Sequence, residues 1–218
     1  MFIVEGNIGA GKTTFLTLLK EHRPEYFISL EPLHTWFSED GASILHNFYK
    51  DPHRWAYTME SVAMVSRVRE YVKDLALETT QPLIAERSVY SGHYGFALNG
   101  YMQGFMTDTE WSAYEKLFNF LVIEQCKQPA GFIYLQLNPE QAFKRIQKRN
   151  RSGESTISLE YLRQLHDRHE ELFIQKSVAP FLTSPVLVLD CTEDFEQNNT
   201  TLLKHLESVD AFISANKR

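Results

Sequence analysis

The sequence is short of several features that define whole classes of protein. Only two of its 218 residues are cysteine, Cys126 and Cys191, and they lie far apart. Such a pair supports neither a disulfide framework nor a cysteine metal site, and reduced, buried thiols are the expectation. A basic excess is also missing: 22 Lys and Arg stand against 28 Asp and Glu, for a formal net charge of -6. A chain that grips a nucleic-acid backbone needs a broad positive field, so no nucleic-acid partner is expected and any phosphate contact must be local. No apolar run is long enough to span a bilayer, so no membrane partner is expected. The first strand-like run begins at Phe2, which leaves no room for a leader segment and makes the cytoplasm the expected location. Repeats, low-complexity tracts and linkers are absent as well, and residues 1–218 fit a single α/β domain.

What the chain does contain is alternation. Short apolar runs at 2–4, 26–30, 82–85, 132–137 and 186–189 read as buried strands. Between and after them, helical patterns cover 13–22, 43–49, 53–78, 91–98, 109–128, 140–148, 158–178 and 195–215. Strands joined by helices in this order predict an α/β fold with a five-stranded parallel sheet, whose ligands lie at the carboxyl ends of the strands. Those ends carry Glu31 after the second run, Glu86, Arg87 and Ser88 after the third, and Asp190 after the fifth.

The stretch VEGNIGAGKTTF, from Val4 to Phe15, sits between the first strand and the first helix. Gly6, Gly9 and Gly11 allow the backbone to curl its N–H groups around an anion, and the helix that follows points its positive end at the same place. Gly6, Asn7, Ile8, Gly9, Ala10, Gly11, Lys12 and Thr13 match G-x-x-x-x-G-K-[ST], with Thr14 next. In that pattern the backbone cradles phosphates, the lysine reaches the outer ones and the Thr13 hydroxyl is a ligand for Mg²⁺. ATP or another nucleoside triphosphate is therefore the expected cofactor, together with Mg²⁺.

Seven blocks in order resemble the deoxynucleoside kinases, the family of the deoxycytidine, deoxyguanosine and mitochondrial thymidine enzymes. They are GNIGAGKTTF from Gly6, EPLHTW from Glu31, YKDPHRWAYTMES from Tyr49, ERSVYSGHYGFALN from Glu86, RIQKRNRSGE from Arg145, LEYLRQLHDRHEELF from Leu159 and TEDF from Thr192. The resemblance spans nearly the whole chain and implies a P-loop kinase fold with an arginine-rich lid over about 145–157. It implies transfer of the γ-phosphate to the 5′-hydroxyl of a deoxynucleoside, with Glu31 as general base. Glu86 is implied near the metal and Arg87 near the 5′-oxygen. Arg145, Arg149 and Arg151 would close on the transferring group, a task suited to arginine forks. Trp36 and Phe96 would wall the nucleobase pocket, Tyr49 and Glu154 would hold the sugar 3′-hydroxyl, and Asp194 and Phe195 would lie at the nucleotide. The family's habit implies a homodimer paired through helices. Two rivals are a nucleoside monophosphate kinase, which needs basic residues near Glu31 where only His34 stands, and a noncatalytic P-loop subunit. The latter should have lost the lysine, the base or the lid arginines.

The sequence departs from the family where the nucleobase would be read. Glu60, Ala63 and Arg67 lie at i, i+3 and i+7 on one stripe, with Glu60 and Arg67 roughly 10 Å apart along the axis. Most of the family carries Gln where this chain has Glu60, and the cytosine and purine enzymes pair the arginine with an Asp where this chain has Gly92. An ionised carboxylate only accepts hydrogen bonds, and guanine offers it adjacent N1–H and amino donors while giving O6 and N7 to Arg67. The expectation is a preference for deoxyguanosine. The alternatives are broad or pyrimidine specificity, encouraged by the missing side chain at Gly92, and mutual neutralisation of Glu60 by Arg67.

Overall fold

The computed structural model describes residues 1–36, 43–77, 79–150 and 156–217. Five strands, β1 (Phe2–Glu5), β2 (Phe27–Ser29), β3 (Leu83–Glu86), β4 (Gly131–Gln136) and β5 (Val186–Asp190), form one sheet in the order β2-β3-β1-β4-β5. Every pairing is parallel, with Phe2 opposite Ile84 on one side of β1 and opposite Gly131 on the other. The expected sheet is therefore the one observed, and its central strands are apolar up to their carboxyl ends because both faces are covered there. Phe2, Val4, Ile133 and Leu135 turn into one cluster, and Ile3, Phe132 and Tyr134 into the other.

The helices are α1 (Lys12–His22), α2 (Ile44–Lys50), α3 (Pro52–Leu75), α4 (Leu98–Met102), α5 (Asp108–Phe118), α6 (Pro139–Arg149), α7 (Leu159–Phe173) and α8 (Asn199–Asn216). A short 3₁₀ turn, Leu33–Trp36, follows β2. Local chemistry sets most starts. Asp51 accepts from the Arg54 N–H and Pro52 presets the first turn of α3, while Asn138 and Ser158 cap α6 and α7.

Five expected helices differ from those observed, one of them the 158–178 helix, which ends at Phe173. The 53–78 helix ends at Leu75, and Glu78 lies outside the described residues. The last helix begins at Asn199 rather than Phe195, because Asn198 caps it by accepting from the Thr200 and Thr201 N–H groups. Two segments read as ordinary α-helix are π-helical, Ser91–Ala97 and Asn119–Ile123. Such wide turns recur at functional sites, and the first presses Gly92 against Arg67 and puts Phe96 under Arg87.

Candidate active site

The chain must turn from β1 into α1 within a few residues, and it does so through left-handed backbone. Gly9 has φ 80° and Gly11 has φ 93°. A Cβ on Gly9 would stand 2.7 Å from the Ala142 carbonyl oxygen, so glycine is required twice over there, by conformation and by space. Asn7 ties the loop down, its side chain donating to the Leu162 carbonyl at 2.8 Å. Lys12 folds back over the loop and donates from Nζ to the carbonyls of Gly6 and Asn7, at 3.0 and 2.9 Å. Burial, with Arg87 beside it, pushes the ammonium down to about 7. Next to it Thr13 donates from Oγ1 to Glu86 Oε1 at 2.7 Å, so the two residues expected at a metal are in contact.

At the end of β2 the Glu31 carboxylate meets both arginines. Its Oε1 accepts from Arg67 Nε and Nη2, at 3.0 and 2.6 Å, and Arg87 Nε lies 3.5 Å from the same oxygen. Burial pushes the carboxyl up, but Arg67 and Arg87 outweigh it and hold the group below the usual carboxylate range. No hydrogen bond among the described residues reaches Oε2.

Arg87 itself stands in left-handed backbone at φ 65°, a costly conformation for a residue with a side chain. Its N–H donates to the Val4 carbonyl, and the next N–H, of Ser88, donates to the fully buried Glu5 at 2.7 Å. Glu5 thus anchors the turn that aims Arg87 at Glu31. Its own carboxyl is pushed up by burial. Phe96 lies beneath the Arg87 guanidinium, with the carbon 4.6 Å from the ring centroid.

These groups open onto one cleft. Gly9, Gly11, Lys12, Thr13 and Thr14 form one end, Glu31, Glu86 and Arg87 the middle, and Trp36, Tyr49, Glu60, Ala63, Arg67 and Phe96 the other. The far end is mostly apolar, and Leu45, Phe48, Met59 and Tyr161 complete it. Trp36 is fixed there by donating from Nε1 to Ser66, and Arg67 sits over its ring at 5.5 Å. Arg67 gives its Nε and Nη2 hydrogen bonds to Glu31 and, among the described residues, makes no ion pair with Glu60, although its charge still favours the ionised Glu60. Gly92 lies behind it, and a Cβ there would stand 2.6 Å from Arg67 Nη1, so the missing side chain makes room for this arginine.

Other expected site residues lie elsewhere. Arg149 lines the cleft, but Arg145 donates to the Ala10 and Cys191 carbonyls, at 3.4 and 3.1 Å, and braces the loop from behind. Phe195 packs edge-on against Phe15 and under Gly11, and Asp194 accepts from the Glu196 N–H. Neither is among the residues lining the cleft. Gly6, Asn7 and Ala10 shape the loop from beneath. Arg151 and Glu154, in the 151–155 stretch of the expected lid, lie outside the described residues. The sequence reading missed Glu5, because the apolar strand run stopped at Val4. It also missed Phe48, Met59 and Tyr161, of which only Met59 had a signal, its i, i+4 spacing to Ala63.

A parallel sheet in this order, with this loop leaving its central strand, is the P-loop kinase fold. The chain belongs to the deoxynucleoside kinase family, whose sequence model, described as "Deoxynucleoside kinase", matches residues 2–214. Among similar curated proteins are "Deoxycytidine kinase 2" of Gallus gallus, 34% identical with 97% of this chain and 89% of that protein covered, and "Deoxyguanosine kinase, mitochondrial" of Xenopus laevis, 35% identical with 97% and 88% covered. "Deoxycytidine kinase" of Mus musculus is 35% identical, with 97% and 90% covered.

Proposed function

We propose that the protein transfers the γ-phosphate of ATP, or another nucleoside triphosphate, to the 5′-hydroxyl of a deoxynucleoside, with deoxyguanosine preferred. The observation that carries this is the position of Glu31. It stands where the polar phosphate end of the cleft meets the apolar end, so a nucleoside stacked on Trp36 and Phe96 extends its sugar toward the loop. With Oε1 held by the arginines, Oε2 is left to take the hydroxyl proton. Arg87 and Lys12 then face the charge that develops on the transferring group. Arg149 adds to that field from α6, and Arg145 keeps the loop in shape. Thr13 and Glu86 supply the hydroxyl and single carboxylate that suit Mg²⁺, a hard cation that completes its shell with phosphate oxygens and water. Bound there, Mg²⁺ would neutralise phosphate charge.

The expected assembly is a homodimer. Val65 and Val72 of α3 are 52% and 55% exposed, and Phe120, just after the neighbouring α5, is 57% exposed, an apolar face suited to a second copy.

The deoxyguanosine preference is supported by Glu60. Its carboxyl is buried at the apolar end of the cleft, on one helix face with Ala63 and Arg67. The test is a panel of the four deoxynucleosides assayed with ATP and Mg²⁺. Phosphorylation at the 5′-position with the highest kcat/KM for deoxyguanosine is expected. A higher value for thymidine or deoxycytidine overturns the base preference alone, and no turnover of any of the four overturns the kinase reading.

A further inference from the structure

Among the described residues, Glu60 is a buried carboxyl with no hydrogen-bond partner. It is 6% exposed, it lines the apolar end of the cleft, and no hydrogen bond among the described residues reaches it. The groups around it come from every neighbouring element: Arg67 on its own helix, Glu31 after β2, Arg87 after β3, Tyr49 of α2, Tyr114 of α5 and Tyr161 of α7. Arg67, the one guanidinium on its stripe, is held by two contacts to Glu31. Nothing in that set commits the carboxyl to one charge state. Burial pushes it up to about 7, against the pull of Arg67 and Arg87, and Glu31 adds to the push.

We propose that Glu60 reads the nucleobase in two protonation states, the ionised carboxylate selecting guanine and the protonated acid selecting cytosine or adenine. The proton is exchanged with solvent and no covalent step is involved. The chemistry follows from donor and acceptor counts. An ionised carboxylate offers two acceptors, which match the N1–H and 2-amino donors of guanine. A protonated one offers a donor beside an acceptor, which matches the bare ring nitrogen and amino group of cytosine or adenine. The mismatched pairing leaves a buried group unsatisfied or puts two lone pairs face to face. This rests on the deoxynucleoside kinase reading and adds that the base preference is a function of pH.

The ratio of kcat/KM for deoxyguanosine to that for deoxycytidine isolates the effect. Every other titrating group of the enzyme, Lys12 and Glu31 included, acts on both substrates and cancels. The ratio should rise with pH, by about tenfold or more between about pH 6 and about pH 8, where strict selection by one proton allows tenfold per unit. In Glu60→Gln, whose amide keeps one donor and one acceptor at all pH values, the ratio should be flat and favour deoxycytidine. Calorimetry in two buffers of unlike ionisation enthalpy gives a second readout on the unaltered protein: deoxycytidine should bind with proton uptake above pH 7, and deoxyguanosine with proton release below it. A flat ratio in the unaltered protein, or a slope that survives Glu60→Gln, overturns the proposal, as does nucleoside binding with no proton exchanged. A flat ratio that still favours deoxyguanosine leaves the kinase reading and its base preference standing.

Discussion

The two oxygens of Glu31 are treated unequally, Oε1 taking the Arg67 and Arg87 contacts while Oε2 is left open. That division lets the arginines orient a base without consuming it. Glu31→Gln keeps the shape and removes the proton acceptor, so turnover should fall on the order of a hundredfold or more while calorimetric nucleoside affinity stays near that of the parent. Near-normal turnover would take Glu31 out of the role. Glu60 gives a separate prediction in stability. Its pKa rises from the ordinary 4.5 to about 7 on folding, so the folded state binds the extra proton and stability declines as pH rises through that window. Glu60→Gln should therefore match the parent near the low end of the window and exceed it above the high end. The gain should be at most about 3 to 3.5 kcal/mol, for a shift of this size in a buried group. Melting temperatures of the two proteins on either side of the window check it, and a gain confined to acid pH would reverse the sign and refute the assignment.

The loop and α6 make opposite uses of two arginines one turn apart. Arg145 braces the phosphate loop through the Ala10 and Cys191 carbonyls, and Arg149 lines the cleft. Arg149→Ala should lower kcat about ten- to hundredfold with little change in nucleoside affinity. Arg145→Ala should act mainly through a higher KM for ATP, and steady-state kinetics with each substrate varied in turn separates the two. A sequence reading puts both on one helix face but cannot tell brace from lining, because that depends on where the loop packs. All five strands were legible, since the inner strands are buried on both faces and the edge strands still carry short, mostly apolar runs. The phosphate loop was legible because its glycines answer to local backbone demands. The contact between Arg67 and Glu31 was not: it joins α3 to the end of β2 and exists because Gly92, on a π-helical turn, leaves the arginine its space. A π-helix carries no periodic signature of its own over seven residues, so Ser91–Ala97 read as an ordinary helix.

Taken as a whole, the molecule carries its nucleobase stripe and its exposed apolar stripe on the same long helix, with Glu60 and Arg67 on one side of α3 and Val65 and Val72 on the other. Val72→Glu combined with Phe120→Glu should give a monomer in sedimentation, with the secondary structure intact by circular dichroism. A sedimentation coefficient unchanged from the parent would show that the copies pair elsewhere, or that they do not pair. The strand order has a consequence for how the protein comes into being. The central strand is the first made, yet its neighbours arrive only with Ile84 and Gly131, opposite Phe2 on its two sides. The loop it carries is closed off later still, by Leu162 holding Asn7 and finally by Phe195 packing under Gly11. Long-range closures of this kind make folding slow. Synthesis from the ribosome therefore leaves the nucleotide-binding turn exposed and shapeless until most of the chain has emerged, and the capacity to hold a triphosphate should appear as one of the final events of folding, together with the native core.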